Sequence, residues 1–500
     1  MQFNSVHFLI FFPAVLLVYF VIPKKVRYIW LLAASYYFYM SWNVKYAALI
    51  LFSTVVTYVS AILIEQKGFE EGKFWEKLKK VALVMGIVLN LGVLFVFKYL
   101  DFSVDSINAV LSNFNVTLIE NRFDLLLPVG ISFYTFQALG YVIDVYRSDI
   151  EAEHNIFKYA LFVSFFPQLV AGPIERSGKL MKQLNHADEI KLWNYERIVK
   201  GFMIMMWGYF MKVVISDRAA TVVNEIFGNY YAYDSFELIV GAVLFAVQIY
   251  CDFAGYSTIA VGAAKIMGFE LMDNFDTPYF SMSIKEFWRR WHISLSSWFR
   301  DYLYIPLGGN RKGKVRKYLN TMIVFLVSGL WHGANWTYVI WGGLHGFYQI
   351  VGDITKPVKD KIYKKLKVKT DIFTFRAFKI ACTFALTCLA WIFFRADSVS
   401  DAFGYIGRIF TNIDPWALSN GTIYELGIDR QEMNILLIAI FILFLVDYLK
   451  YKRNIRFENI AQGQSVWARG AVIMVLIFAV LVFGAYGLDF DAQQFIYFQF

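Results

Sequence analysis

Five hundred residues, of which 58% are hydrophobic, 19% aromatic and only 17% charged, carry more apolar surface than a soluble domain can bury, so the chain reads as a polytopic all-α membrane protein. The net charge of +9 is small for this length and sits in clusters beside apolar runs, which makes it an orientation signal and argues against a nucleic-acid partner. Cys251, Cys382 and Cys388 all lie inside apolar runs without CxxC spacing, which argues against a zinc site or a disulfide framework.

The apolar run from Val6 to Ile22 lacks a preceding positive region and a small-residue cleavage pattern, and Lys24, Lys25 and Arg27 follow it. It is therefore expected to be an uncleaved first span with its N-terminus outside. A span needs about 20 apolar residues. That length places spans near 5–22, 28–44, 46–64, 80–99, 125–146, 198–223, 237–266, 373–394, 432–449 and 469–487, in a fold with about 10–11 transmembrane helices. The basic stretches 24–27, 65–80, 285–317, 356–379 and 450–456 are expected in the cytoplasm, and the acidic stretches 101–124, 225–237 and 397–432 outside, with both termini outside.

That alternation holds if two further segments, 157–173 and 320–352, enter and leave by the same face. Each is broken by Gly or Pro, and irregular backbone at bilayer depth requires surrounding protein or a water-filled cavity. The expected architecture is thus spanning helices plus re-entrant and interfacial helices around a central funnel or tunnel, in one domain over 1–500.

Several polar residues fall within the apolar runs. Gln137 and Asp144 lie in PVGISFYTFQALGYVID, and Gln248, Asp252 and Lys265 lie in QIYCDFAGYSTIAVGAAK. An intramembrane ionisable side chain is a functional-site hypothesis by default. Asp252 either lines a reaction tunnel or pairs with a neighbouring helix, whereas Asp144, beside Arg147, reads as a solvated helix-end residue.

The stretch Ser281 to His345 is the expected catalytic core. Its first half sets Trp288, Trp291, Trp298, Tyr302 and Tyr304 among Arg289, Arg290 and Arg300, the composition of a segment lying along a membrane interface. Its second half is an apolar run interrupted by SGLWHGANW. The imidazole of His332 inside such a run needs a partner or a purpose. Gly308 and Gly309 in PLGGNRKGK lack the fixed spacing of a phosphate loop. KPVKDKIYKKLKVK, from Lys356 to Lys369, reads as a solvated cytoplasmic loop near anionic lipid.

RRWHISLSSWFRDYLYIPLGGNR followed by SGLWHGANWTYVIWGGLHG closely resembles the membrane-bound O-acyltransferase family. The likeness is greatest to the bacterial branch of alginate O-acetylation, PatB and DltB proteins. The resemblance implies acyl transfer from a cytoplasmic thioester to a hydroxyl reached from the opposite face. His332 matches the family's invariant histidine and takes the general-base role, for which a neutral imidazole is suited. His292 falls on a second family position and either orients the acyl donor or is held as an interfacial histidine. Gln137, Asp252, Arg289, Arg290, Trp331 and Asn335 are expected to bind the donor or line the tunnel, while His345 is expected to pack or cap.

The segment FIYFQF, Phe495 to Phe500, resembles the FxYxxF ending of this bacterial branch, in which the tyrosine is thought to carry the acyl group. The resemblance makes Tyr497, in an extracytoplasmic tail over 489–500, an acyl carrier; composition alone makes it an aromatic anchor. A phenol ionises near pH 10, so its ester retains transfer potential. The resemblance thus implies a relay with acetyl-CoA as donor substrate and no tightly bound cofactor or metal. No GxSxG elbow is present, so the expected partner is an extracytoplasmic SGNH or GDSL-type acyltransferase that esterifies a polysaccharide. The expected location is the bacterial cytoplasmic membrane, among its lipids. D-alanyl transfer to teichoic acid, a lipid or protein acyltransferase, and a polysaccharide transporter subunit are the alternatives; the fusion of the carrier ending to the chain favours acetyl.

Overall fold

The computed structural model describes residues 1–65, 72–114, 116, 119, 127–169, 172–419, 421–460, 463–486 and 496. Among the described residues every regular element is a helix. Seven helical stretches there are long and apolar enough to cross a membrane: Val44–Glu65, Lys73–Phe114, Tyr195–Gly228, Ser235–Met267, Phe373–Arg395, Arg430–Arg453 and Val466–Phe483. The all-α, multi-pass reading stands.

The difference from the longer list of expected spans lies in runs that fold as shorter helices. Val6–Val21 and Ile131–Tyr146 have 16 residues each and Arg27–Met40 has 14. At 1.5 Å per residue, 16 residues reach only about 24 Å, short of the roughly 30 Å hydrocarbon layer. Ile131–Tyr146 is buried at all but a few positions, so its apolar character serves protein packing on every side. In contrast, the stretch 101–124, expected as a loop, continues the preceding helix as far as Phe114.

The chain forms two compact units, one of Met1–Gly201 with Ala260–Met272, the other of Phe202–Ile259 with Asp273–Phe500. In the first, helices Ala47–Glu65, Lys73–Leu94 and Ile131–Tyr146 pack on one another. Buried hydroxyls tie this bundle together: Ser53 Oγ donates to Asn90 Oδ1 at 2.5 Å and the Tyr159 hydroxyl to Thr57 Oγ1 at 2.6 Å. The interrupted segment 157–173 begins as two short helices, Ile156–Ser164 and Phe166–Leu169, broken at Phe165.

The second unit contains a helical hairpin, Gly313–His332 and Trp336–Lys365, where two halves about a GANW turn were expected. Glycine makes it close. A Cβ on Gly329 would lie 2.2 Å from the Tyr338 carbonyl oxygen, and one on Gly342 2.2 Å from that of Phe325. No side chain fits between the two backbones, as at small-residue interfaces in membranes. The second arm passes Pro357 and ends at Lys365, so most of the lysine-rich run is exposed helix instead of loop. The hairpin packs on helices Ile284–Arg290 and Phe373–Arg395.

The apolar helix Tyr195–Gly228 is not uniform. Its residues Phe210–Ser216 form a π-helical turn, a wide turn frequent at functional sites.

Candidate active site

His332 is the last residue of the first hairpin arm. The chain reverses over Gly333, Ala334 and Asn335, and Asn335 caps the second arm, its Oδ1 accepting from the Thr337 N–H at 3.0 Å. The Asn335 amide also donates to the Asp397 carbonyl at 3.4 Å. This capping bond is the local reason that a helix restarts directly after the histidine. The imidazole is 2% exposed. It stands edge-on to Trp331 and Trp341, both with ring centroids at 5.0 Å, and 5.7 Å from Phe394.

His292 joins helices Ile284–Arg290 and Ile293–Phe299 and has φ 43° and ψ 56°, a left-handed backbone rare outside glycine. Asn274 secures that turn: its carbonyl accepts from Ile293 N at 2.9 Å and its Oδ1 from Ser294 N at 3.3 Å. The result aims a fully buried imidazole inward. Its ring lies 4.6 Å from Phe253 at 88°, 6.1 Å from Trp331 and 6.4 Å from His332. The stretch 281–345 therefore brings together His292, Trp331 and His332, with Trp341 completing the aromatic enclosure. An imidazole can in principle take a proton from an incoming hydroxyl and return it to a leaving group.

The other expected residues are divided between this enclosure's supports and more distant positions. Arg289 is exposed. Arg290 holds Glu286 at 3.0 Å, donates to the Asp276 carbonyl and Thr277 Oγ1 at 3.2 Å each, and lies over the Tyr451 ring. It braces the loop before the His292 turn. Gln137 lies in the other unit, where its amide and that of Gln168 both donate to the Phe162 carbonyl. His345 is fully buried, and its Nδ1 accepts the Trp288 indole N–H at 3.2 Å, a packing role. Asp144 is half-buried and accepts from Ser177 Oγ at 2.6 Å, so it is a bonded acceptor and not merely a solvated helix end. Tyr497 lies outside the described residues.

Asp252 forms an ion pair with Lys212 at 2.6 Å, and Lys212 meets Asp217 at 2.7 Å. Its other oxygen accepts from the Ile496 N–H at 2.6 Å. Of the two readings open for Asp252, the structure contains the pairing with another helix. Lys212 and Asp217 were missed from sequence. The signal was present in FMKVVISD, a lysine and an aspartate five residues apart in an apolar run, but an α-helix of 3.6 residues per turn does not align such a pair. The π turn brings them together.

Among the described residues no group of three or more His, Cys, Asp or Glu side chains is placed to hold a metal ion. Cys251 and Cys388 are buried free thiols, and Cys382 is exposed.

Comparison with known proteins identifies relatives along the chain. The profile of the membrane-bound O-acyltransferase family matches residues 148–399, a span that includes Asp252, His292 and His332. The chain is 37% identical to the probable alginate O-acetylase of Pseudomonas putida, over 99% of each chain. It is 34% identical to the peptidoglycan O-acetyltransferase of Helicobacter pylori, over 78% of this chain and 76% of that one. The teichoic acid D-alanyltransferase of Streptococcus thermophilus is 31% identical over 48% of this chain and 60% of its own.

Proposed function

We propose that this chain, which belongs to the membrane-bound O-acyltransferase family, moves an acetyl group from cytoplasmic acetyl-CoA through His332 and Tyr497 to an extracytoplasmic partner that O-acetylates a polysaccharide. The coarse activity, membrane O-acyl transfer, comes from the family. What supports the finer reading is that the two histidines matched to the family pattern, His292 and His332, lie with ring centroids 6.4 Å apart.

In the proposed step, an imidazole nitrogen of His332 takes the Tyr497 phenol proton as the phenolic oxygen attacks the thioester carbonyl. The tetrahedral adduct collapses, the carbon–sulfur bond breaks, and the thiolate leaves as CoA thiol with the proton from the imidazolium. The acetyl group is then an aryl ester on Tyr497. A serine of an SGNH or GDSL-type partner attacks that ester, regenerates the phenol and passes the acetyl group to a sugar hydroxyl. In this reading the final transfer to the sugar lies with that partner. The membrane is the bacterial cytoplasmic membrane, with both termini outside.

Acetyl is preferred to D-alanyl because likeness to the alginate O-acetylase extends over 99% of the chain, against 48% for the D-alanyltransferase. The test is intact-mass analysis of the purified protein after incubation with isotopically labelled acetyl-CoA, for wild type and Tyr497→Phe. One labelled acetyl group on wild type and none on the variant is expected. A variant that still supports full polymer acetylation would leave direct transfer in place of the relay.

A further inference from the structure

The chain beyond helix Val466–Phe483 returns to the π turn at Phe210–Ser216 and to the residues beside it. Arg218 Nη1 donates to the Phe483 carbonyl at 3.0 Å, ending the last helix, and the Ala485 N–H donates to the Val213 carbonyl at 2.9 Å. Further along, the Ile496 N–H donates to Asp252 Oδ2 at 2.6 Å, and the Ile496 side chain is 3% exposed. A π turn replaces i→i+4 bonds by i→i+5 bonds and re-aims its carbonyls, so Val213 can accept from outside its own helix.

The ion cluster beneath this segment gives little stability by itself. Lys212 is 1% exposed between two carboxylates, and burying ions carries a desolvation penalty of several kcal/mol each that attraction alone often fails to offset. Two carboxylates against one ammonium also leave acceptor capacity, which a peptide N–H can fill.

We propose that Lys212, Asp217 and Asp252 form a docking site for the chain's own C-terminal segment, gripping it at Ile496. Asp252 is followed by Phe253, whose ring stands 4.6 Å from His292, which in turn faces His332 at 6.4 Å. The docking site is thus joined through one side chain to the histidine pair. Asp252 is a positioning residue; it touches the peptide backbone of the carrier segment, not the reacting atoms. The purpose of docking rests on the relay reading, whereas the docking itself does not.

Hydrogen–deuterium exchange of the full-length protein in nanodiscs, read by mass spectrometry on peptides covering Ile496, tests this directly. Wild type should protect the Ile496 amide. Asp252→Leu, which keeps bulk but has no acceptor, should exchange at least about tenfold faster there, the loss expected when a charge-assisted bond goes. Asp252→Asn retains an acceptor oxygen and should stay close to wild type. Because a lone buried ion can unfold a variant, the combined Lys212→Met, Asp217→Asn and Asp252→Leu change removes all three charges together. It should release Ile496 while helix Ser235–Met267 keeps its protection. An Ile496 amide that exchanges freely in wild type, or equally in wild type and the triple variant, overturns the proposal. Full acetylation by Tyr497→Phe with Asp252-dependent protection intact would instead sink the relay and leave the docking site standing.

Discussion

The His292 and His332 rings face one another with centroids 6.4 Å apart and planes inclined by 60°. They reach that position by different means: His332 ends a hairpin arm, and His292 occupies a left-handed turn pinned by Asn274. Two imidazoles in one aromatic enclosure allow a division of labour, with one handling the proton and the other the donor.

His332→Ala is therefore expected to lower kcat by about 10²–10⁴-fold with little change in the KM for acetyl-CoA, the range lost with a general base. His292→Ala is expected to raise that KM with a smaller fall in kcat. Steady-state release of CoA thiol by both variants in membranes checks the split. Equal kcat losses with unchanged KM would give both rings the same task.

The hairpin was legible in sequence because SGLWHGANW interrupts an apolar run with helix-ending and helix-capping residues, and Asn335 does cap the next helix. The pairing of His292 with His332 was legible only through family resemblance, since nothing in periodicity links the two. Lys212 with Asp217 was not legible, because its alignment depends on a π turn that local propensity does not announce. The run 125–146 folds as the shorter helix Ile131–Tyr146, and composition does not distinguish an apolar helix buried in protein from one buried in lipid. Gln137 shows a related ambiguity: a buried amide can also serve a carbonyl that needs a donor, here that of Phe162.

His345 offers a contrast within the same enclosure. Its Nδ1 accepts from Trp288, and it lies against Trp341 with centroids 5.2 Å apart. His345→Ala should leave a void and an unpaired indole N–H, with a stability loss of about 2–4 kcal/mol. Thermal unfolding in detergent should show a lower midpoint, while acetyl transfer per folded molecule stays within about threefold of wild type, a difference below 1 kcal/mol. A loss of transfer as large as that of His332→Ala at unchanged stability would contradict the packing role.

Two neighbouring glycines of the second arm separate close approach from mere helix propensity. A Cβ at Gly342 would lie 2.2 Å from the Phe325 carbonyl oxygen, whereas at Gly343 it meets only Leu326 Cδ2 at 3.5 Å. Gly342→Ala should force the arms apart, destabilise by about 1–3 kcal/mol or more, and reduce transfer by displacing His332. Gly343→Ala should be neutral or stabilising by up to about 1 kcal/mol. Side-by-side melting curves and activities decide it, and similar behaviour of the two variants would refute the close-contact account.

Glu175, outside the seven long apolar helices, is expected to make the stability of the first unit depend on pH. Burial pushes its carboxyl from an ordinary 4.5 up to about 7, against the opposing pull of the Met272 N–H that it accepts and the nearby Lys179 and Arg176. A carboxyl whose folded value is raised holds its proton longer in the folded state than in the unfolded one, so its contribution is fully present below pH 4.5 and is lost as pH rises through about 7. At about 1.4 kcal/mol per unit, the loss across that window is on the order of 3 kcal/mol. Glu175→Gln stays neutral and keeps an acceptor for Met272. Its melting midpoint relative to wild type should therefore climb between about pH 5 and pH 8, with the variant falling less steeply. A difference between the two proteins that is constant across this range would show that the Glu175 carboxylate is already ionised at low pH and that burial does not govern it.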